Sequence, residues 1–155
     1  MNRRRRFLAL AGVSAFASSF ASFAQPQAKV WRVGVLSVFL PGKDPLFDAF
    51  RQQLRDLGHV EGKTLAIEYL TAEGKYDRLP ALAAELLKRN VDVIMAISGT
   101  PPANAARNAA RTIPIVFTLV SDPVGQGLVT SLARPGGNVT GTSNLHPEKI
   151  GRAHV

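Results

Sequence analysis

The segment IPIVFTLVSDPVGQGL, residues 113–128, indicates the class of fold. Residues 113–120 are almost all apolar and several are β-branched, which is typical of a strand that is covered on both faces. Asp122 and Pro123 follow closely, and these residue types favour the first turn of a helix. A buried strand that leads straight into a helix is the repeating unit of a parallel α/β sheet.

The same alternation of strand and helix patterns runs through the rest of the chain. Strands are predicted over residues 30–37, 64–70, 91–98 and 113–120, with the start of a fifth over 139–144. Helices are predicted from Pro45 to a stop at Gly58 and over residues 77–89, 101–111 and 123–133. The βαβαβαβα order predicts an α/β fold, a Rossmann-like parallel sheet with helices on both faces and right-handed crossovers.

Residues 1–24 are predicted to be an export signal. Four arginines precede a short apolar run, and small residues at Ser22 and Ala24 predict cleavage after Ala24 and a periplasmic protein. The arginines fit the twin-arginine form Arg-Arg-x-Phe-Leu, although an ordinary secretory signal can also begin in this way. Of the net charge of +8, the signal accounts for half, so the basic balance does not predict a nucleic-acid partner.

The composition after the signal gives no sign of a cofactor or a metal site. The chain has no cysteine and three histidines, and its carboxylates are scattered without the spacing of a metal site or a catalytic dyad. An exported chain without cysteine must be held together by packing alone. No cofactor, no metal and no catalytic residue are therefore expected.

Ligands of parallel sheets bind outside the carboxyl ends of the strands. The residues predicted to contact a ligand there are Ser37, Ser98, Thr100, Ser121 and Asp122. Thr100 and Asp122 each precede a proline, so both can equally be plain helix caps. Two helix N-termini that face one crevice would favour an anionic group, and Asp122 would balance an ammonium group, which together favour a zwitterion. Gly125 and Gly127 are interpreted as packing residues, because a lone Gly-x-Gly is weak support for a nucleotide site.

Several motifs together resemble one family. They are RVGVLS (32–37), FRQQLRDLGHVEG (50–62), IEY (67–69), YDRLP (76–80), SDPVG (121–125) and LARPGGNVTG (132–141). In combination they resemble the periplasmic solute-binding proteins of ABC importers, in the subfamily linked to tryptophan and tyrosine uptake.

The resemblance implies a two-lobed type I binding protein. Such a protein closes on a small solute, possesses a hinge between its lobes, and works as a monomer with an ABC permease in the inner membrane. Residues 30–145 resemble the N-terminal lobe alone, preceded by a linker over residues 25–29. Residues 150–155 can be back-translated into the start of a common sequencing adapter, so we predict that they are not natural.

Two other functions stay open from the sequence. One is a single-domain flavodoxin-like enzyme that uses the same strand ends, and the other is a sensory domain that binds a small effector. The export signal and the lack of a nucleophile paired with a base argue against the enzyme.

Overall fold

A computed structural model of the protein describes residues 29–39 and 45–144. The predicted export signal, residues 25–28 of the predicted linker and residues 150–155 lie outside these ranges. The described residues form a parallel sheet of five strands in the order β2-β1-β3-β4-β5. The strands are β1 (Trp31–Ser37), β2 (Leu65–Thr71), β3 (Val93–Ala96), β4 (Ile115–Val120) and β5 (Val139–Ser143). The predicted parallel α/β sheet is confirmed.

Strand β1 lies inside the sheet and is covered on both faces. Its side chains alternate between two apolar clusters, with Val33 and Val35 in one and Leu36 in the other. All of its residues from Val33 onward are buried. This explains why its sequence is a nearly continuous apolar run rather than an alternating one.

Helices cover the two faces unequally. Helix α1 (Pro45–Asp56) packs Phe47, Phe50 and Leu54 against one face of the sheet. Helices α2 (Leu79–Lys88) and α3 (Thr100–Ala109) pack together on the other face. On that second face Gly34 leaves room for α2, because a Cβ atom there would lie 2.9 Å from Leu86 Cδ2. The helices thus leave part of the α1 face, over β4 and β5, without a helix among the described residues.

The predicted helix over residues 123–133 is wrong. The segment forms turns only, and its hydrogen bonds, such as Gln126 N to Asp122 O at 2.9 Å, close a single turn. Gly125 and Gly127 disfavour a helix by about 1 kcal/mol each, and Gly127 has a left-handed φ of +66°. Leu128 and Val129 nevertheless reach the core on the α3 face, so the segment still contributes two buried side chains.

The predicted ends of several elements differ slightly from the observed ones. Residues Tyr76–Arg78 form a 3-10 turn, so α2 begins at Leu79 rather than at residue 77. Strand β3 is shorter than the apolar run that predicted it, because Ser98 and Gly99 take left-handed backbone conformations. In the part of the chain that the structure describes, no helix is long and apolar enough to cross a membrane.

Candidate ligand-binding site

The carboxyl ends of β1, β3, β4 and β5 form one edge of the sheet, which we call the strand-end edge. It comprises residues 37–39, 97–100, 121–122 and 143–144. All five residues predicted to contact a ligand lie on it. The parallel arrangement places them there because neighbouring strands all end at the same side of the sheet.

Ser37 and Ser98 are in direct contact at this edge. Their hydroxyl oxygens are 3.3 Å apart, and the Ser37 hydroxyl also donates to the carbonyl of Phe39. Ser37 is buried, with 1% of its surface exposed, whereas Ser98 is exposed. In this conformation Ser37 therefore positions its neighbours, and Ser98 is the one of the pair that a ligand can reach.

Thr100 is not the cap of α3. It is the first helical residue, and Gly99 takes the capping position with φ +93° and ψ −154°, a backbone conformation that is essentially confined to glycine. No side chain caps this helix start. Pro101 and Pro102 have no N–H group, so the helix start offers fewer donors to an anion than the sequence predicted. The Thr100 side chain is left half-buried at the edge, without the capping role.

Asp122 does not cap a helix either, because no helix follows it. Its Oδ1 accepts a hydrogen bond from Gly125 N at 2.9 Å and thereby closes the turn after β4. A Cβ atom on Gly125 would lie 2.3 Å from Asp122 Oδ2, so any side chain at position 125 would displace this carboxylate. The prediction of two helix N-termini facing one crevice is thus wrong. Among the described residues of the edge, the groups that could bind an anionic ligand group are the start of α3 and the hydroxyls of Thr100 and Ser121.

An apolar cavity of about 310 Å³ opens beside the strand-end edge on the α1 face. Its lining residues come from α1, from β3 and the two residues after it, and from β4 and β5: Phe47, Phe50, Met95, Ile97, Ser98, Thr118, Leu119 and Thr142. None of them is charged. Ser98 belongs both to the cavity and to the edge, so the apolar and polar regions are continuous.

Sequence reasoning missed two features of this site. Ser143 at the end of β5 has a buried hydroxyl for which the described residues supply no hydrogen-bond partner. Its position at a strand end is the signal that could have found it. The cavity had no such signal, because it depends on how α1 lies across the sheet.

Comparisons with known proteins identify the family. The chain matches the family described as ABC transporter substrate binding protein over residues 32–150. It is 41% identical over 104 residues to a tyrosine-binding protein of Clostridioides difficile (strain R20291), an alignment that covers 67% of this chain and 30% of that protein.

Two solved structures are similar to the chain. The ligand-free, open structure of a substrate binding protein with adhesive properties from Clostridium difficile has a TM-score of 0.68 and 35% identity, over 77% of this chain and 41% of that one. An ABC domain in complex with L-Trp from Streptococcus pneumonia has a TM-score of 0.63 and 26% identity, over 77% and 40%.

The chain therefore spans about 30% of the length of the curated relative and about 40% of the length of these solved structures. Its five-stranded parallel sheet corresponds to one Rossmann-like lobe of a periplasmic binding protein. The chain belongs to the family of ABC transporter substrate-binding proteins.

Proposed function

We propose that this chain is the N-terminal lobe of the solute-capturing component of an ABC importer. The observation that carries the proposal is the grouping of Ser98, Thr100, Ser121 and Asp122 on one edge of a parallel sheet in a chain of this family. Such an edge forms one side of a ligand cleft. A second lobe would form the other side, and a ligand that contacts both would favour the closed state.

The ligand that we propose is an amino acid, in particular an aromatic one. The relatives named for tyrosine and for L-Trp support this class. At the edge, the Asp122 carboxylate would pair with the ammonium group. The hydroxyls of Thr100 and Ser121 and the backbone N–H of Thr100 would donate to the carboxylate group. Ser37 would hold Ser98 in place.

We propose that the protein binds its ligand without catalysing a reaction on it. The described residues of the strand-end edge offer hydroxyls and one carboxylate, with no histidine or cysteine among them. A group that can act as a nucleophile would also need a base within hydrogen-bonding reach. The proposed partners are accordingly a small solute and an inner-membrane permease. The proposed state is a periplasmic monomer that does not bind nucleic acid.

We also propose how the chain is divided into an export signal, a linker and a lobe. Residues 1–24 would be removed on export, residues 25–29 would link to the lobe at 30–145, and residues 150–155 would be absent from the natural protein. Mass spectrometry of the exported chain tests the first point, because cleavage after Ala24 leaves Gln25 at the N-terminus. Resequencing the gene tests the last.

Binding at the edge is best tested by NMR, because one lobe supplies only half of the ligand contacts and the affinity will be low. The ¹⁵N-labelled 155-residue chain is titrated with L-tryptophan. We expect shifts for the amides of Ser98, Ser121 and Asp122. Thr100→Ala should weaken binding, whereas Thr112→Ala, a matched exposed threonine at the opposite end of the sheet, should not. A spectrum that stays unchanged, or shifts that cluster at the amino ends of the strands, would refute the proposal.

A further inference from the structure

Leu119 has a backbone conformation that is unusual for leucine. Its φ is +61°, in the left-handed region, where a bulky side chain is strained. The register between β4 and β5 shifts between Phe117 and Val120, so Leu119 lies in a β-bulge. Bulges of this kind re-aim side chains and are common beside functional sites.

The bulge changes which side chains of β4 face the cavity. In a regular strand, alternate residues point to opposite faces, but here Phe117 and Val120, three residues apart, are both buried. Thr118 and Leu119, although adjacent in sequence, both line the cavity. The bulge thus adds an apolar side chain to the cavity, and that side chain is still 52% exposed.

The bulge is also joined to the strand-end edge. A Cβ atom on Gly99 would lie 3.6 Å from the Leu119 carbonyl oxygen, so the chain after β3 lies next to the bulge. Ser98, the residue before Gly99, is left-handed as well and lines the same cavity. The strained residues Ser98, just after β3, and Leu119, in β4, therefore lie where the polar edge and the apolar cavity meet.

We propose that the cavity is the side-chain pocket of the ligand and that Leu119 determines its preference for a large apolar or aromatic side chain. This inference rests on the proposed function. The polar edge would hold the ammonium and carboxylate groups, and the uncharged cavity would receive the side chain. Its volume of about 310 Å³ lies at the lower end of the range of about 300–1,000 Å³ for small-molecule sites, which suits one ring system.

The test compares ligands that share the zwitterion and differ in the side chain. The 155-residue chain and its variants are titrated with L-tryptophan and with glycine, and dissociation constants are obtained from the amide shifts. Wild type should bind tryptophan more tightly than glycine. Leu119→Ala should weaken tryptophan binding by about threefold to tenfold, because the substitution removes from the contact a leucine side chain of which 52% is exposed to the cavity and solvent. It should leave glycine binding unchanged.

Two further variants make the result decisive. Leu119→Gly removes the same side chain and also relieves the left-handed strain, so it should fold and show the same selective loss. Leu132→Ala truncates a leucine of similar exposure, 55%, that does not line the cavity, and should bind both ligands as wild type does.

The outcomes separate the two proposals. If wild type binds both amino acids at the edge with equal affinity, or if Leu119→Ala binds tryptophan as wild type does, the cavity is not the side-chain pocket, while the proposed function stands. If wild type binds neither amino acid, both proposals are overturned.

Discussion

The carboxylate of Asp122 is expected to serve both the fold and the ligand, and two substitutions can separate these roles. Its Oδ1 closes the turn after β4 by accepting from Gly125 N at 2.9 Å. In the proposed site its charge also pairs with the ligand ammonium group. Asp122→Asn keeps an acceptor oxygen for the turn and removes the charge. Asp122→Ala removes both.

The structure sets the expected magnitudes. Loss of a side-chain bond of this type to a backbone N–H costs about 1 kcal/mol of the free energy of unfolding. The cost should not be greater, because Gly125 is exposed and water can hydrate the freed N–H. Asp122→Asn should change the free energy of unfolding by less than about 0.5 kcal/mol. Its loss of a charge-assisted bond in a half-buried position should cost about 1.4 kcal/mol of binding, or about tenfold in affinity.

Two assays on the same three proteins test this. Urea denaturation followed by circular dichroism measures the free energy of unfolding, and NMR titration with L-tryptophan measures affinity. Asp56→Asn, at the end of α1, controls for the change in net charge and should bind as wild type does. If Asp122→Asn also binds as wild type does, the carboxylate is only a turn cap, and its assignment to the ammonium group is refuted.

Three further predictions concern stability. Gly141→Ala should lower the free energy of unfolding by more than about 2 kcal/mol in urea denaturation, because its Cβ would lie 2.1 Å from the Phe117 carbonyl oxygen and β5 would have to move. Tyr69→Phe should raise the free energy of unfolding by about 1 kcal/mol, because the Tyr69 hydroxyl is buried without a hydrogen-bond partner among the described residues. A free energy of unfolding below that of wild type would contradict this. Hydrogen bonds from Lys29 and the backbone N–H of Arg32 lower the pKa of Asp92, so its stabilising effect should be complete above about pH 5 and be lost on acidification. The difference in urea midpoint between wild type and Asp92→Asn should accordingly narrow as the pH falls, and a constant difference would rule this out.

Much of the fold follows from local patterns in the sequence. The strands and helices up to β4 were predictable because each carries its own periodicity and end signals, such as Gly58 after α1, which has the left-handed φ of +88° expected of a helix stop. The segment after β4 misled the same reasoning. Asp122 and Pro123 resemble a helix start, but the two glycines outweigh them, and Leu132, which a helix would bury, is 55% exposed.

The site was predictable in position and not in detail. Strand ends of a parallel sheet must share an edge, so Ser98 and Ser121 could be placed from their strands alone. The bulge at Leu119 depends on how β4 pairs with β5, and the cavity depends on where α1 crosses the sheet. Both are tertiary relations between segments far apart in sequence, which local propensity does not encode.

The positions at which local rules fail are themselves informative. Four non-glycine residues among those described have positive φ: Glu73, Asn90, Ser98 and Leu119. Asn90 ends α2 and Glu73 precedes Gly74 in a turn, so both have ordinary local reasons. Ser98 and Leu119 follow neither pattern: Ser98 lies just after β3, Leu119 lies in the adjacent strand β4, and both line one cavity. Because strain of this kind persists only where the surrounding structure enforces it, its concentration where the cavity meets the strand-end edge favours this region as the functional site independently of the family match.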